Sequence, residues 1–148
     1  MNVIQCNMEH AQSAAELFDQ YRMFYEQESD LSGCYAFIKE NIENARSKIF
    51  LLYDDGAAVG FSQLYASYCS ISMRSFYYLS DLYIDRSCRK KGYARFLMNY
   101  LTEHFAKLGA HRLTLETATT NTAAQRLYES LGYQREKVFI TYHQMLER

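Results

Sequence analysis

The sequence predicts an α/β (α+β) fold, a mixed and mostly antiparallel sheet flanked by helices, and three observations predict it. Ala94, Leu97, Met98, Leu101, Phe105 and Leu108 recur at spacings of three and four between two apolar strand-like runs, the pattern of a helix crossing over from one strand to the next. Asp54-Asp55-Gly56 separates two further strand-like runs as a hairpin turn. With 148 residues and 49% hydrophobic content, the chain can bury one full core and has little left for a second, so residues 1–148 read as a single domain.

The elements follow in order. Val3 to Asn7 reads as a short strand. His10 to roughly Glu28 reads as a helix with Ala14, Leu17, Phe18, Tyr21 and Phe24 on one face, and Leu31 to Ala45 as a second. Lys48 to Tyr53 and Ala57 to Tyr68 form the hairpin, and Ser75 to Ile84 continues it in antiparallel order. After the crossover helix, which Gly109 closes, His111 to Thr117 should run parallel to that strand, because a strand-helix-strand unit returns in the same direction. Thr122-Ala123-Ala124-Gln125 has the form of a capping box opening a last helix that Gly132 stops. Lys137 to Met145 then closes the sheet.

Composition excludes several classes. No apolar run approaches the ~20 residues of a membrane helix, and Met1 to Cys6 lacks the basic and apolar regions of a signal peptide, so a cytoplasmic protein without membrane attachment is expected. A net charge of −1 argues against nucleic acid as a partner, since such binding rests on many phosphate contacts. Cys6, Cys34, Cys69 and Cys88 form no C-x-x-C pair, and His10, His104, His111 and His143 show no H-E-x-x-H spacing; reduced thiols and no metal site are expected.

One basic segment stands out. The strand-like Leu82-Tyr83-Ile84 runs into Asp85-Arg86-Ser87-Cys88-Arg89-Lys90-Lys91-Gly92-Tyr93-Ala94-Arg95, where a helix begins. The first amides of a helix have no intrahelical partner and lie at the positive end of its dipole, so they suit a phosphate, and Gly92 lets the backbone approach it closely. The cluster is local, fitting a small polyanion.

A second signature, Asn121-Thr122-Ala123-Ala124-Gln125-Arg126-Leu127-Tyr128-Glu129-Ser130-Leu131-Gly132-Tyr133, follows one strand-length beyond that helix. Arg89-x-x-Gly92-x-Ala94 resembles the Q/R-x-x-G-x-G/A coenzyme A loop of the GNAT-type N-acetyltransferases, and the later segment is similar to that superfamily's N-x-x-A-x-x-L-Y-x-x-x-G-Y/F pattern. The resemblance covers most of the chain. Ser80-Asp81-Leu82-Tyr83-Ile84 also resembles the strand of small members acting on polyamine-like, small-molecule or basic-protein amines.

The resemblance implies a fold in which two parallel central strands splay apart, with the pantetheine arm of acetyl-CoA in the gap. It implies an acetyl-CoA-dependent N-acetyltransferase acting by direct attack of a primary amine in a ternary complex. It places the cofactor on the main chain of Leu82, Tyr83 and Ile84, on the amides of Arg89, Lys90, Lys91, Gly92, Tyr93, Ala94 and Arg95, and at Asn121, Ala124 and Tyr128. Tyr128 falls where the family's tyrosine protonates the departing thiolate, and a phenol with a pKa of about 10 keeps its proton at neutral pH. Asp81 matches an acidic position that orients the amine or takes its proton through water. Ser80 stands where those relatives carry glutamate, which leaves a water relay through Asp81 or Glu116 open.

The acceptor is a small-molecule or peptide amine, expected against Tyr25, Glu26, Glu28 and Asp30, with Asp81 and Glu116, because aromatic and acidic groups suit a cation. Phe139, Ile140 and Tyr142 offer an edge for a homodimer. The alternative reading is a non-catalytic acyl-CoA sensor or interaction module with the same fold.

Overall fold

The structure, a computed structural model, describes residues 1–147. The chain forms two compact units, Met1–Glu116 and a smaller one that begins at Thr117.

The first unit contains β1 (Asn2–Gln5), α1 (Ala11–Phe24), α2 (Leu31–Glu43), β2 (Lys48–Asp54), β3 (Ala57–Cys69), β4 (Arg74–Ile84), α3 (Tyr93–Lys107) and β5 (Leu113–Thr114). The strands lie in the order β1-β2-β3-β4-β5. All neighbours are antiparallel except β4 and β5, which run parallel as the crossover through α3 requires. The mixed sheet expected from the sequence is therefore present in this unit.

Helices cover both faces, which explains why Ile49-Phe50-Leu51-Leu52 is buried without alternation. Ile49 and Leu51 pack with Ala11, Ala14 and Leu17 of α1 and Ile38 of α2. Phe50 points the other way and meets Phe105 of α3 edge-on, ring centroids 5.8 Å apart. Each such side chain withdrawn from water contributes about 1.5–3 kcal/mol.

Two boundaries differ from expectation here. The first helix stops at Phe24 rather than near Glu28, because Asp19 pulls the following chain back: its carboxylate accepts from the Ser29 hydroxyl at 2.6 Å and the Asp30 amide at 2.8 Å. Glu26 turns through a left-handed conformation with φ 65°, and Asp30 caps α2 by accepting from the Gly33 amide. The expected strand from His111 to Thr117 is regular only at Leu113 and Thr114, opposite Tyr77 and Tyr78, with the His111 amide donating to the Ser75 carbonyl and the Arg112 carbonyl accepting from Tyr77 just before it.

The second unit holds α4 (Thr122–Ser130). Its cap is Asn121, whose side chain accepts from the Ala124 amide at 3.1 Å, and not the Thr122–Gln125 box. Gln125 instead donates to the carbonyls of Ala118 and Thr119 and so ties down the preceding turn. Gly132, with φ 95°, ends the helix as expected.

The expected closing strand, Lys137 to Met145, does not form among the described residues. That stretch carries no strand, and Val138, Phe139, Ile140, Tyr142 and Met145 stand exposed. Alternating apolar residues specify a strand only once an edge accepts their hydrogen bonds.

Candidate active site

The site is built on β4. Its pairing with β3 slips by one residue, Gln63 facing Asp81 while Leu64 faces Leu79, so Ser80 is the extra residue of a bulge. Bulges bend a strand and re-aim its side chains, and they cluster beside reactive centres. The Tyr21 hydroxyl of α1 donates to the Ser80 carbonyl at 3.3 Å, and the buried Ser62 hydroxyl donates to the Asp81 carbonyl at 2.9 Å. The bulge is thus pinned from both sides.

Past Tyr78 the two parallel strands separate. β5 pairs with β4 only at Tyr77 and Tyr78, whereas β4 continues to Ile84, so its edge from Leu79 to Ile84 away from β3 meets no strand among the described residues. This is the splayed pair that the family resemblance implied.

Asp81 is 8% exposed. Burial pushes its carboxyl above the usual range, and hydrogen bonds from Gln63, Tyr21 and Ser80 hold it back. Gln63 Nε2 donates to Asp81 Oδ2 at 2.9 Å. Glu116, the other candidate proton acceptor, takes a short hydrogen bond from the Tyr78 hydroxyl; burial, then Glu116, pushes that phenol up to about 12, so the proton stays on Tyr78. Tyr78 also feels the charge of Asp81, which links the two carboxylates through one ring.

Beyond β4 the chain turns sharply. Asp85 accepts from the hydroxyl and amide of Ser87, which hold its carboxylate below the usual range. Lys90 (φ 66°) and Gly92 (φ 77°) both adopt left-handed backbone, and α3 starts at Tyr93. No backbone carbonyl among the described residues accepts from the amides of Gly92, Tyr93 or Ala94, which open α3. Lys90 and Lys91 are exposed and join no ion pair among the described residues.

Two side chains of the expected phosphate loop turn elsewhere. Arg89 Nε donates to the Ile84 carbonyl at 2.9 Å, and its guanidinium lies 5.0 Å from the Tyr83 ring centre and 5.8 Å from that of Phe24. Tyr93 is buried, and its hydroxyl donates to Asp54, which pushes the phenol up to about 12. These two side chains stabilise the turn.

On the acceptor side, Tyr25 is half-exposed and meets Tyr21 edge-on at 5.1 Å, next to the bulge. Glu28 is exposed, while its carbonyl accepts from Arg22. Asp30 is occupied with its capping role. In the second unit Asn121 and Ala124 form the α4 cap, and the half-buried Tyr128 has its ring 5.9 Å from that of Tyr133.

Sequence reasoning missed Tyr21, Ser62 and Gln63. The only trace of them was a polar pair, Ser62-Gln63, inside the apolar run from Val59 to Leu64.

A parallel strand pair that parts at its carboxyl ends ahead of a glycine turn and a helix start is the arrangement that the resemblance to the GNAT-type N-acetyltransferases implied. The chain belongs to the acetyltransferase (GNAT) family, whose model matches residues 12–133. It is 39% identical over 142 residues to YhfO, an uncharacterized N-acetyltransferase of Bacillus subtilis (strain 168), covering 96% of this chain and 95% of that one. A crystal structure of a probable acetyltransferase superposes with a TM-score of 0.94 at 29% identity over 100% of this chain and 99% of that one. An aminoglycoside N-acetyltransferase in complex with CoA shares the fold, with a TM-score of 0.79 at 21% identity over 97% and 93% of the two chains. The protein is an acetyltransferase. No helix among the described residues is long and apolar enough to cross a membrane.

Proposed function

We propose that this acetyltransferase moves an acetyl group from acetyl-CoA to a primary amine of a small molecule or basic side chain, both substrates being bound together. The observation that carries the reading is the unpaired edge of β4 from Leu79 to Ile84, followed along the chain by the acceptor-free amides of Gly92, Tyr93 and Ala94 at the start of α3. An extended pantetheine amide chain fits an open strand edge, and a diphosphate fits a helix start with open amides beside two lysines that join no ion pair among the described residues.

Leu82, Tyr83 and Ile84 line the arm, and the turn from Arg89 to Arg95 holds the diphosphate. Asn121 and Ala124 shape the start of α4, which carries Tyr128. Bound there, acetyl-CoA supplies an activated thioester carbonyl. A main-chain amide of β4 stabilises negative charge on that carbonyl oxygen. Asp81 takes the proton of the incoming ammonium through water, which frees the nitrogen lone pair to form the C–N bond as the C–S bond breaks. Tyr128 returns a proton to the leaving sulfur. The half-exposed aromatic ring of Tyr25, with Glu28 and Glu116, supports a cationic acceptor.

The exposed tail supports assembly as a homodimer, and the four free cysteines support a reducing, cytoplasmic setting. A thiol-release assay with acetyl-CoA across polyamines, amino acids, aminoglycosides and lysine-rich peptides tests the transfer, and calorimetry with coenzyme A tests the cradle. Release of thiol with at least one amine is the expected result. No heat on titrating coenzyme A overturns the reading, and uptake without release favours a sensor.

A further inference from the structure

Four of the five buried polar side chains among the described residues, Asn41, Ser62, Gln63 and Asp81, lie on or against the β3–β4 pair. Three of them form a single chain of hydrogen bonds. Arg46 Nε donates to Asn41 Oδ1 at 2.8 Å, Asn41 Nδ2 donates to Gln63 Oε1 at 2.7 Å, and Gln63 Nε2 donates to Asp81 Oδ2 at 2.9 Å. Ser47 Oγ also donates to Gln63 Oε1 at 2.7 Å, and Asn41 Nδ2 reaches the Tyr65 hydroxyl at 3.2 Å.

The direction of this chain is not free. A guanidinium has only donors, so Asn41 must turn its oxygen to Arg46 and its NH₂ to Gln63, and Gln63 must turn its oxygen to Asn41 and its NH₂ to Asp81. An amide NH₂ cannot accept, so a proton on Asp81 Oδ2 would lie against another donor. Gln63 and Asn41 are 0% and 1% exposed, so neither amide can flip into water to relieve that conflict.

We propose that Gln63, locked by Asn41, Ser47 and Arg46, is a positioning residue that keeps Asp81 Oδ2 as a hydrogen-bond acceptor and so holds the carboxylate in the one orientation in which it receives the amine proton. The proposal rests on the reading of Asp81 as the proton acceptor. It explains a cost that packing alone does not: a buried polar relay is tolerated where it holds one carboxylate in one orientation. Other titratable or charged groups bearing on Asp81 are Tyr21 from α1, Tyr65 from β3, Tyr78 of β4, Glu116 through Tyr78, and Arg46 at the far end of the relay.

The experiment is the pH profile of kcat/KM for an accepted amine in the full chain, with coenzyme A affinity measured alongside, for Gln63→Met, Gln63→Glu, Arg46→Ala and Asp81→Asn. Gln63→Met removes the donor to Oδ2, so the acid limb moves to higher pH by about one unit and kcat falls about tenfold, with coenzyme A affinity unchanged. Gln63→Glu keeps the acceptor for Asn41 and Ser47 but sets a second carboxyl against Asp81, which moves the limb further upward. Arg46→Ala produces a smaller shift in the same direction. Gln63→Glu and Arg46→Ala decide the matter if Gln63→Met does not fold. Folded Gln63 variants with the wild-type profile overturn the positioning role while loss of turnover in Asp81→Asn leaves the base in place. Full turnover in Asp81→Asn overturns both.

Discussion

The first unit buries polar side chains where apolar ones would be cheaper, and the second exposes apolar side chains where polar ones would be soluble. Gln63, Asn41 and Asp81 are 0%, 1% and 8% exposed, whereas Phe139, Ile140 and Tyr142 are 72%, 77% and 85% exposed. Both break the usual partition, and each points to something outside simple chain stability. The buried group is arranged around a carboxylate beside an open strand edge, and the exposed group is a strand pattern without an edge.

Asp81→Asn breaks the first side of this contrast most severely. Turnover should drop about 1,000-fold if the carboxylate is the base. Stability should move the other way. A carboxyl raised in the folded state binds its proton more tightly there than in the unfolded chain, so stability falls as pH rises from the unfolded carboxyl pKa through the folded one. At neutral pH the native side chain is therefore a liability, and Asp81→Asn should raise the thermal midpoint while it removes activity. A lower midpoint together with wild-type turnover would assign Asp81 to the core alone.

Tyr128→Phe should lower kcat about 100-fold and leave coenzyme A affinity intact, because only the proton donor is removed. Equal turnover takes Tyr128 out of the acid role. For the exposed side, Phe139→Asp combined with Ile140→Asp should weaken self-association by more than about 100-fold, since a dimer through this stretch would lose two side chains each worth about 1.5–3 kcal/mol. Sedimentation velocity of the wild type as a strict monomer would remove the dimer.

Smaller effects sharpen the turn that follows β4. In Gly92→Ala the new Cβ meets nothing within 4 Å, so the change acts through left-handed backbone alone. The ~1–2 kcal/mol of strain should weaken coenzyme A about tenfold in a calorimetric titration. Asp85→Ala should lower stability by no more than about 1 kcal/mol at pH 7. Because the Asp85 carboxylate titrates below its usual range, its contribution is present above the unfolded carboxyl pKa and is lost on acidification. The melting curves of wild type and variant in circular dichroism should therefore converge as the pH falls through the folded Asp85 pKa.

The sequence was most legible where one residue type admits one backbone. Asp54-Asp55-Gly56 turns the chain between β2 and β3, and Gly92 stands at the left-handed entrance of α3. The apolar spacing of Leu97, Met98, Leu101 and Phe105 placed α3 because a helix buries one face at that period. The end of α1 was misread because Asp19 reaches eleven residues ahead to Asp30, a contact that no local pattern contains. The loop motif names Arg89 and Tyr93 for their amides and says nothing of their side chains, which meet Ile84, Tyr83 and Asp54.

By itself the chain determined its family, the order of its elements as far as α4 and the glycine turn at the start of α3, because these depend on neighbours within a few residues. Tertiary structure alone decided that Ser80 bulges, that β4 and β5 part after two pairs, and that Gln63 faces Asp81. Such features arise from register between strands, and register is set by which side chains meet across the sheet.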